Sequence, residues 1–282
     1  MFDGSSVKFC SSSIFSGLPS INLGLKYQAV PTALKLLKSL ATGEQYFTIS
    51  WLPGGEILAS TTFNFEVRNQ DLKVLRSVKF PNSVAASRPL PDGSVLSKVK
   101  TGSENDKVYL TRNESPAAEL LCEVPTFKRS FAFEAKLAIF EKTVAIISGP
   151  NDKKHTLKIF SLDEKQLRHR YNIILKLMAH PQGVSIMNDE FEFVTGEGSG
   201  ELRKYKLKAN SAPVWAVTGL HSPYGVSDCP ESELIYSSSA YAKRIYVHTS
   251  EGKEICHRSC CLGSNGTYNK LMFLISVGAY LK

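Results

Sequence analysis

Long apolar runs are missing from this sequence. No stretch reaches the roughly 18 apolar residues that a membrane span needs, and the opening Met1–Cys10 has no apolar core of the signal-peptide kind. Both point to a soluble, cytoplasmic protein with no membrane partner. Cysteine is sparse and irregular: Cys10, Cys122, Cys229, Cys256, Cys260 and Cys261 show no even framework of spacings. Reduced thiols are therefore expected rather than disulfide staples. The motifs of nucleotide and acyl-transfer enzymes are absent too, with no G-x-S-x-G and no P-loop. The glycine-rich Thr195–Gly200 contains Glu197 and lacks a phosphate-binding lysine, so it reads as a hairpin loop.

What is present is a faint repeat. The chain has 282 residues, 43% of them hydrophobic and 21% charged, enough to bury a core without metals or disulfides. Six segments read as a turn followed by an apolar strand. They are Leu52–Ser60, Leu90–Lys98, Phe140–Ser148, Met187–Thr195, Cys229–Ser237 and Tyr268–Ser276, with steps of 38, 50, 47, 42 and 39 residues. Stacked without gaps, their seventh position is always apolar: Leu58, Leu96, Ile146, Phe193, Ile235 and Leu274. Their ninth is Ser60, Lys98, Ser148, Thr195, Ser237 and Ser276. A second strand follows each of the first five, at Leu72–Leu75, Val108–Thr111, Leu157–Phe160, Leu202–Tyr205 and Ile245–His248. Each mixes apolar and polar residues, as a half-buried strand does.

A period near forty residues built of strands and tight turns predicts a β-propeller. One twisted four-stranded sheet cannot bury both faces alone, but radially arranged sheets cover each other. The expected fold is all-β, a six-bladed propeller with four-stranded blades. Its sixth blade is either incomplete or closed by the N-terminal segment. Residues 1–43 form that segment, with a strand expected over Ile21–Tyr27 and a short helix over Pro31–Ala41. Residues 44–282 hold the repeats.

Pro181-Gln182-Gly183-Val184 and Pro223-Tyr224-Gly225-Val226 precede the turns of the fourth and fifth copies. The pattern P-x-G-V, turn, apolar strand, loop and a strand such as Arg244–His248 resembles the NHL repeat, best over residues 181–252. Propellers of this family stand at the C-terminus of tripartite-motif proteins. The sequence departs from the family where Ser237-Ser238-Ser239-Ala240 replaces the usual Asp-rich loop. No Trp-Asp dipeptide ends a repeat, as it would in a WD-repeat propeller. No RING or B-box cysteine pattern is present, so ligase activity is not implied.

The resemblance implies a binding module, and the residues give no catalytic set. Calcium-dependent propeller lactonases gather acidic and amide side chains at the axis. The strands expected there, Phe47–Trp51, Ala135–Ile139, Gly183–Ile186 and Gly225–Asp228, are poor in them, leaving Glu44 and Asp228 as lone carboxylates. Cys256–Cys261 lacks a second donor pair for zinc, so no metal or cofactor is expected. The formal charge of +8 permits an anionic partner. Lys128, Arg129, Lys153, Lys154, His155, Lys243 and Arg244 fall in loops expected on one face, with Gln182, Tyr224 and Tyr241 beside them. Cations beside aromatics suit single-stranded RNA, as some NHL propellers do. The primary expectation is a non-catalytic scaffold that recognises a protein partner through a propeller face, with RNA as the alternative. Oligomeric state and partner identity are not encoded in any motif.

Overall fold

A computed structural model describes residues 5–9, 38–42, 48–103, 105–115, 117–125, 137–148, 155–163, 166–176, 178, 180–188, 190–196, 199–229, 233–239, 242 and 244–259. Among them are twenty-two strands and no helix. Strands β1 (Ser5–Phe9) and β2 (Lys38–Thr42) form an antiparallel pair. The other twenty form five four-stranded sheets, each a meander of consecutive strands.

Blade one is β3 (Thr48–Trp51), β4 (Ile57–Ser60), β5 (Asn64–Arg68) and β6 (Val74–Lys79). Blade two is β7 (Val84–Pro89), β8 (Val95–Val99), β9 (Asn105–Thr111) and β10 (Ala118–Pro125). Blade three is β11 (Leu137–Phe140), β12 (Thr143–Ser148), β13 (His155–Asp163) and β14 (Gln166–Leu175). Blade four is β15 (Pro181–Ile186), β16 (Phe191–Gly196), β17 (Glu201–Lys206) and β18 (Pro213–Val217). Blade five is β19 (Pro223–Cys229), β20 (Leu234–Ser239), β21 (Arg244–Thr249) and β22 (Glu254–Ser259). The first strands β3, β7, β11, β15 and β19 touch in succession and form the inner edge. This is a propeller-like arrangement.

The local chemistry explains the meanders. The turns Leu52–Glu56 and Leu90–Ser94 are built alike: Leu52 and Leu90 donate backbone N–H to Glu56 and Ser94, each at 2.8 Å. Gly55 and Gly93 sit at φ +83° and +79°, where a side chain would be strained. The Asp92 carboxylate adds a bond from the Ser94 N–H at 2.9 Å.

Apolar clusters fill the seams between blades. Leu58, Phe65 and Val67 of blade one pack on Val84, Val95 and Val99 of blade two. Leu96, Val108 and Leu110 of blade two pack on Leu137, Val144 and Ile146 of blade three. Ile147, Leu157 and Ile159 of blade three meet Val184, Ile186 and Tyr205 of blade four. Leu202 of blade four meets Val226, Ile235 and Tyr246 of blade five.

These seams correct the gap-free stacking of the repeats. Leu58, Leu96, Ile146 and Ile235 are all buried, as expected. They do not occupy equivalent sites, however. Leu58 and Leu96 face the following blade, whereas Ile146 and Ile235 face the preceding one. The cause is turn length. Trp51 pairs with Ile57 and Pro89 with Val95, leaving five residues in each turn. Phe140 pairs with Thr143 and Cys229 with Leu234, leaving two and four. An odd change in hairpin length moves every following side chain to the other face. Phe193 lies on the five-residue pattern, with Ile186 paired to Glu192.

The ninth-position lysine also finds its reason. Lys98 is 2% exposed and makes an ion pair of 2.5 Å with equally buried Asp106. Elsewhere in that column Ser60 bonds to Thr48, and Ser148 donates to the Pro125 carbonyl at 2.8 Å.

The helix expected over Pro31–Ala41 is not what forms at its end: Lys38–Thr42 is a strand, because its backbone pairs with Ser5–Phe9. Tertiary pairing overrides the local leucine spacing there. Residues 31–37, the strand expected over Ile21–Tyr27 and the sixth copy at Tyr268–Ser276 lie outside the described residues.

Candidate binding faces and the axial residues

Because successive strands run in opposite directions, each blade presents its loops on two faces. First-to-second and third-to-fourth turns share one, here the turn face. Second-to-third loops and the connections between blades share the other, the entry face.

The predicted binding residues that are described, His155, Gln182, Tyr224 and Arg244, stand at the entry-face ends of their strands. His155 and Arg244 open β13 and β21 and are partly exposed. Gln182 and Tyr224 begin β15 and β19, but they are buried, at 6% and 9% exposure. Tyr224, expected to stack on bases, therefore offers no open aromatic face, and Gln182, expected beside the basic loops, is likewise covered, both being inner-strand residues. Lys128, Arg129, Lys153, Lys154, Tyr241 and Lys243 lie outside the described residues, as does Glu44.

Two features of the turn face escaped the sequence reading. The first is the level formed by the next-to-last residue of each inner strand: Ser50, Arg88, Ile139, Ser185 and Asp228. Two contacts cross between blades at this level. Arg88 Nη1 donates to Ser50 Oγ at 3.4 Å, and Ser185 Oγ donates to Asp228 Oδ1 at 2.5 Å. Burial pushes the Asp228 carboxyl up to about 6, against the Ser185 bond that favours its charged form. Burial likewise pushes the Arg88 guanidinium down to about 10, and no acidic group offsets it. The signal was readable: Arg88 precedes Leu90-Pro91-Asp92-Gly93 as Ser50 precedes Leu52-Pro53-Gly54-Gly55.

The second feature is a cleft of about 370 Å³ between blades one and two. Leu52, Pro53, Glu56, Leu75, Arg76 and Asp92 are among its lining residues. Arg76 anchors its wall by donating through Nη1 to the Asn113 carbonyl at 2.8 Å and the Arg112 carbonyl at 3.2 Å. Its pKa is lowered by burial, and the charge of Glu56 acts in the opposite direction. Leu75, 57% exposed, lines the cleft, and Val74 beside it is also exposed.

No set of three or more His, Cys, Asp or Glu side chains is gathered for a metal among the described residues. No helix among them is long and apolar enough to cross a membrane.

No family model matches the sequence, and no curated protein matches it. Structural likeness is broad, with 1105 solved chains similar to this one, so that a match bears on fold and not on role. One is a chain in the crystal structure of the mitotic checkpoint complex, with a TM-score of 0.57 and 14% identity. The match covers 75% of this chain and 62% of that one, less than two thirds of the solved chain's length. The five radially adjoining sheets and this likeness together make the chain an all-β propeller.

Proposed function

We propose that the chain is a non-catalytic scaffold of the cytoplasm that recognises a protein partner through a propeller face. The observation that carries this reading is the cleft between blades one and two, with Val74 and Leu75 exposed at its side. Apolar side chains beside a polar-rimmed concavity suit a protein surface better than a nucleic acid. The likeness to a chain of a multiprotein complex is in keeping with it. Free thiols at Cys122 and Cys256 fit a reducing compartment.

Six blades of the NHL kind complete this proposal. Ala59 on the side of blade one away from blade two is fully buried, and Ile245 on the side of blade five away from blade four is nearly so, at 3% exposure. A buried blade face calls for a neighbour, and the sixth repeat at Tyr268–Ser276 would supply one.

RNA is the second reading, supported by the charge of +8 and by Arg244 and His155 sharing the entry face. A pull-down with mass spectrometry, with and without nuclease, separates the two. A protein set retained after nuclease, and reduced by Leu75→Glu, is expected. Loss of the whole set on nuclease treatment would transfer the function to RNA. Stoichiometric calcium binding with lactone hydrolysis would overturn the non-catalytic reading.

A further inference from the structure

Arg88 is a cation in a costly place. It stands on β7, at the inner edge of the propeller, where the other described inner strands carry no lysine or arginine. Its side chain is partly accessible, yet the surrounding protein lowers its pKa by desolvation. Its hydrogen bonds are long and to neutral groups: Ser50 Oγ at 3.4 Å and the Ser87 carbonyl at 3.2 Å, both from Nη1. Among the described residues no carboxylate lies within ion-pair distance of it, whereas three buried cations have one. Lys98 has Asp106 at 2.5 Å, Arg68 has Glu66 at 2.5 Å, and Arg203 has Glu201 at 2.7 Å.

A desolvated charge without a counter-ion is strongly unfavourable. A guanidinium also offers a planar fork of donors matched to two oxygens of one group. The opposite side of the inner edge holds Asp228, already engaged by Ser185 and with no electrostatic influence from Arg88. Arg88 thus keeps donor capacity at the turn-face end of the inner edge.

We propose that Arg88, with Ser50 beside it, forms an axial binding site for a single oxyanion group, a carboxylate or a phosphate, entering from the turn face. The site is independent of the cleft between blades one and two, and of the entry-face loops. A partner that inserts an acidic group along the axis would use it, as would a small free anion.

The test follows thermal unfolding of the full chain against added acetate, inorganic phosphate or sodium chloride at matched ionic strength. A ligand that binds the folded state raises the midpoint, and the rise grows with the logarithm of concentration above its dissociation constant. The expected result is a concentration-dependent rise for acetate or phosphate over chloride in the native protein, and none in Arg88→Met. Acetate acting without phosphate assigns the site to carboxylates, and the reverse assigns it to phosphates. In chloride alone, Arg88→Met should melt no lower than the native protein, since an uncompensated charge has been removed. Arg88→Lys, with the charge kept and the fork lost, should respond severalfold more weakly. An equal rise in native protein and Arg88→Met overturns the site. So does the absence of any rise in the native protein, a result that stands even if a variant fails to fold. Retained protein capture in Arg88→Met would separate this site from the proposed partner surface.

Discussion

Blades three and four meet differently from blades four and five. The first seam has the larger apolar cluster, with Ile147, Leu157, Ile159, Ile173 and Leu175 against Val184, Ile186 and Tyr205, and is tied besides by Tyr171 Oη to the Leu207 carbonyl at 2.5 Å and Arg203 Nη1 to the Lys176 carbonyl at 2.6 Å. The second has a smaller apolar cluster and several polar groups threaded through it. Lys204 Nζ and Trp215 Nε1 both donate to the Ser250 carbonyl, at 2.9 and 3.0 Å. His248 is fully buried on the same side as Ile235, with its pKa lowered by burial. Gly252 lets the Trp215 ring lie directly on the turn that carries Ser250. The first seam rests chiefly on its apolar area, so a void there is costly. The polar seam holds by direction: two side chains of blade four grip one backbone carbonyl of blade five, which sets where that blade sits.

The largest effect should come from the apolar seam. Ile159→Ala removes a fully buried side chain and should cost about 2–5 kcal/mol in denaturant unfolding. A loss below about 1 kcal/mol would mean that the seam can collapse around the void, and the contrast with the polar seam would fail.

Asp228, at the axial end of the polar seam, should show a smaller effect with a definite pH dependence. Its folded pKa of about 6 lies above the ordinary carboxylate value. Between the two values the folded state binds more protons than the unfolded, so stability is lost as pH rises through that window. Asp228→Asn keeps the shape and should stabilise by roughly 2–3 kcal/mol near pH 8. The gain should shrink towards zero near pH 4. A gain independent of pH, in chemical unfolding at the two pH values, would remove Asp228 titration from the account.

The smallest is Gly252→Ala. The residue has φ +87°, and an added Cβ would stand 2.9 Å from the Trp215 ring. Backbone strain alone predicts a loss of about 1–2 kcal/mol. Adding Trp215→Leu should relieve the steric part and leave the strain, so the two losses should fall short of additive. Strict additivity would show that the ring and the turn do not act as a unit.

Much of the propeller was legible along the chain because its causes are local. Leu-Pro-Gly-Gly and Leu-Pro-Asp-Gly each specify a tight turn, and the alternation around Leu157 or Ile245 specifies a half-buried strand. Recurrence of the two at blade length leaves few other folds. The chosen site residues were less legible. Gln182 and Tyr224 are equally compatible with a loop or an inner strand by sequence, and the radial packing encloses them.

Residue order by itself determined the turns, the blade-length repeat and the strands at Val108–Thr111, Leu157–Phe160, Leu202–Tyr205 and Ile245–His248, since each depends on φ preferences and side-chain alternation within a few residues. In blade one the strand expected at Leu72–Leu75 is instead Asn64–Arg68. Which neighbour each blade faces was decided in three dimensions. A turn of two, four or five residues is equally acceptable locally, yet its parity sets whether Leu58 or Ile146 points forwards or backwards around the ring. The same holds for charge. Lys98 and Arg88 look alike in the sequence, two cations in apolar strands. Lys98 meets Asp106 of β9, the next strand of its own blade, whereas no carboxylate lies within ion-pair distance of Arg88 among the described residues, because the pairing of strands and not the residues on either side decides which charges meet.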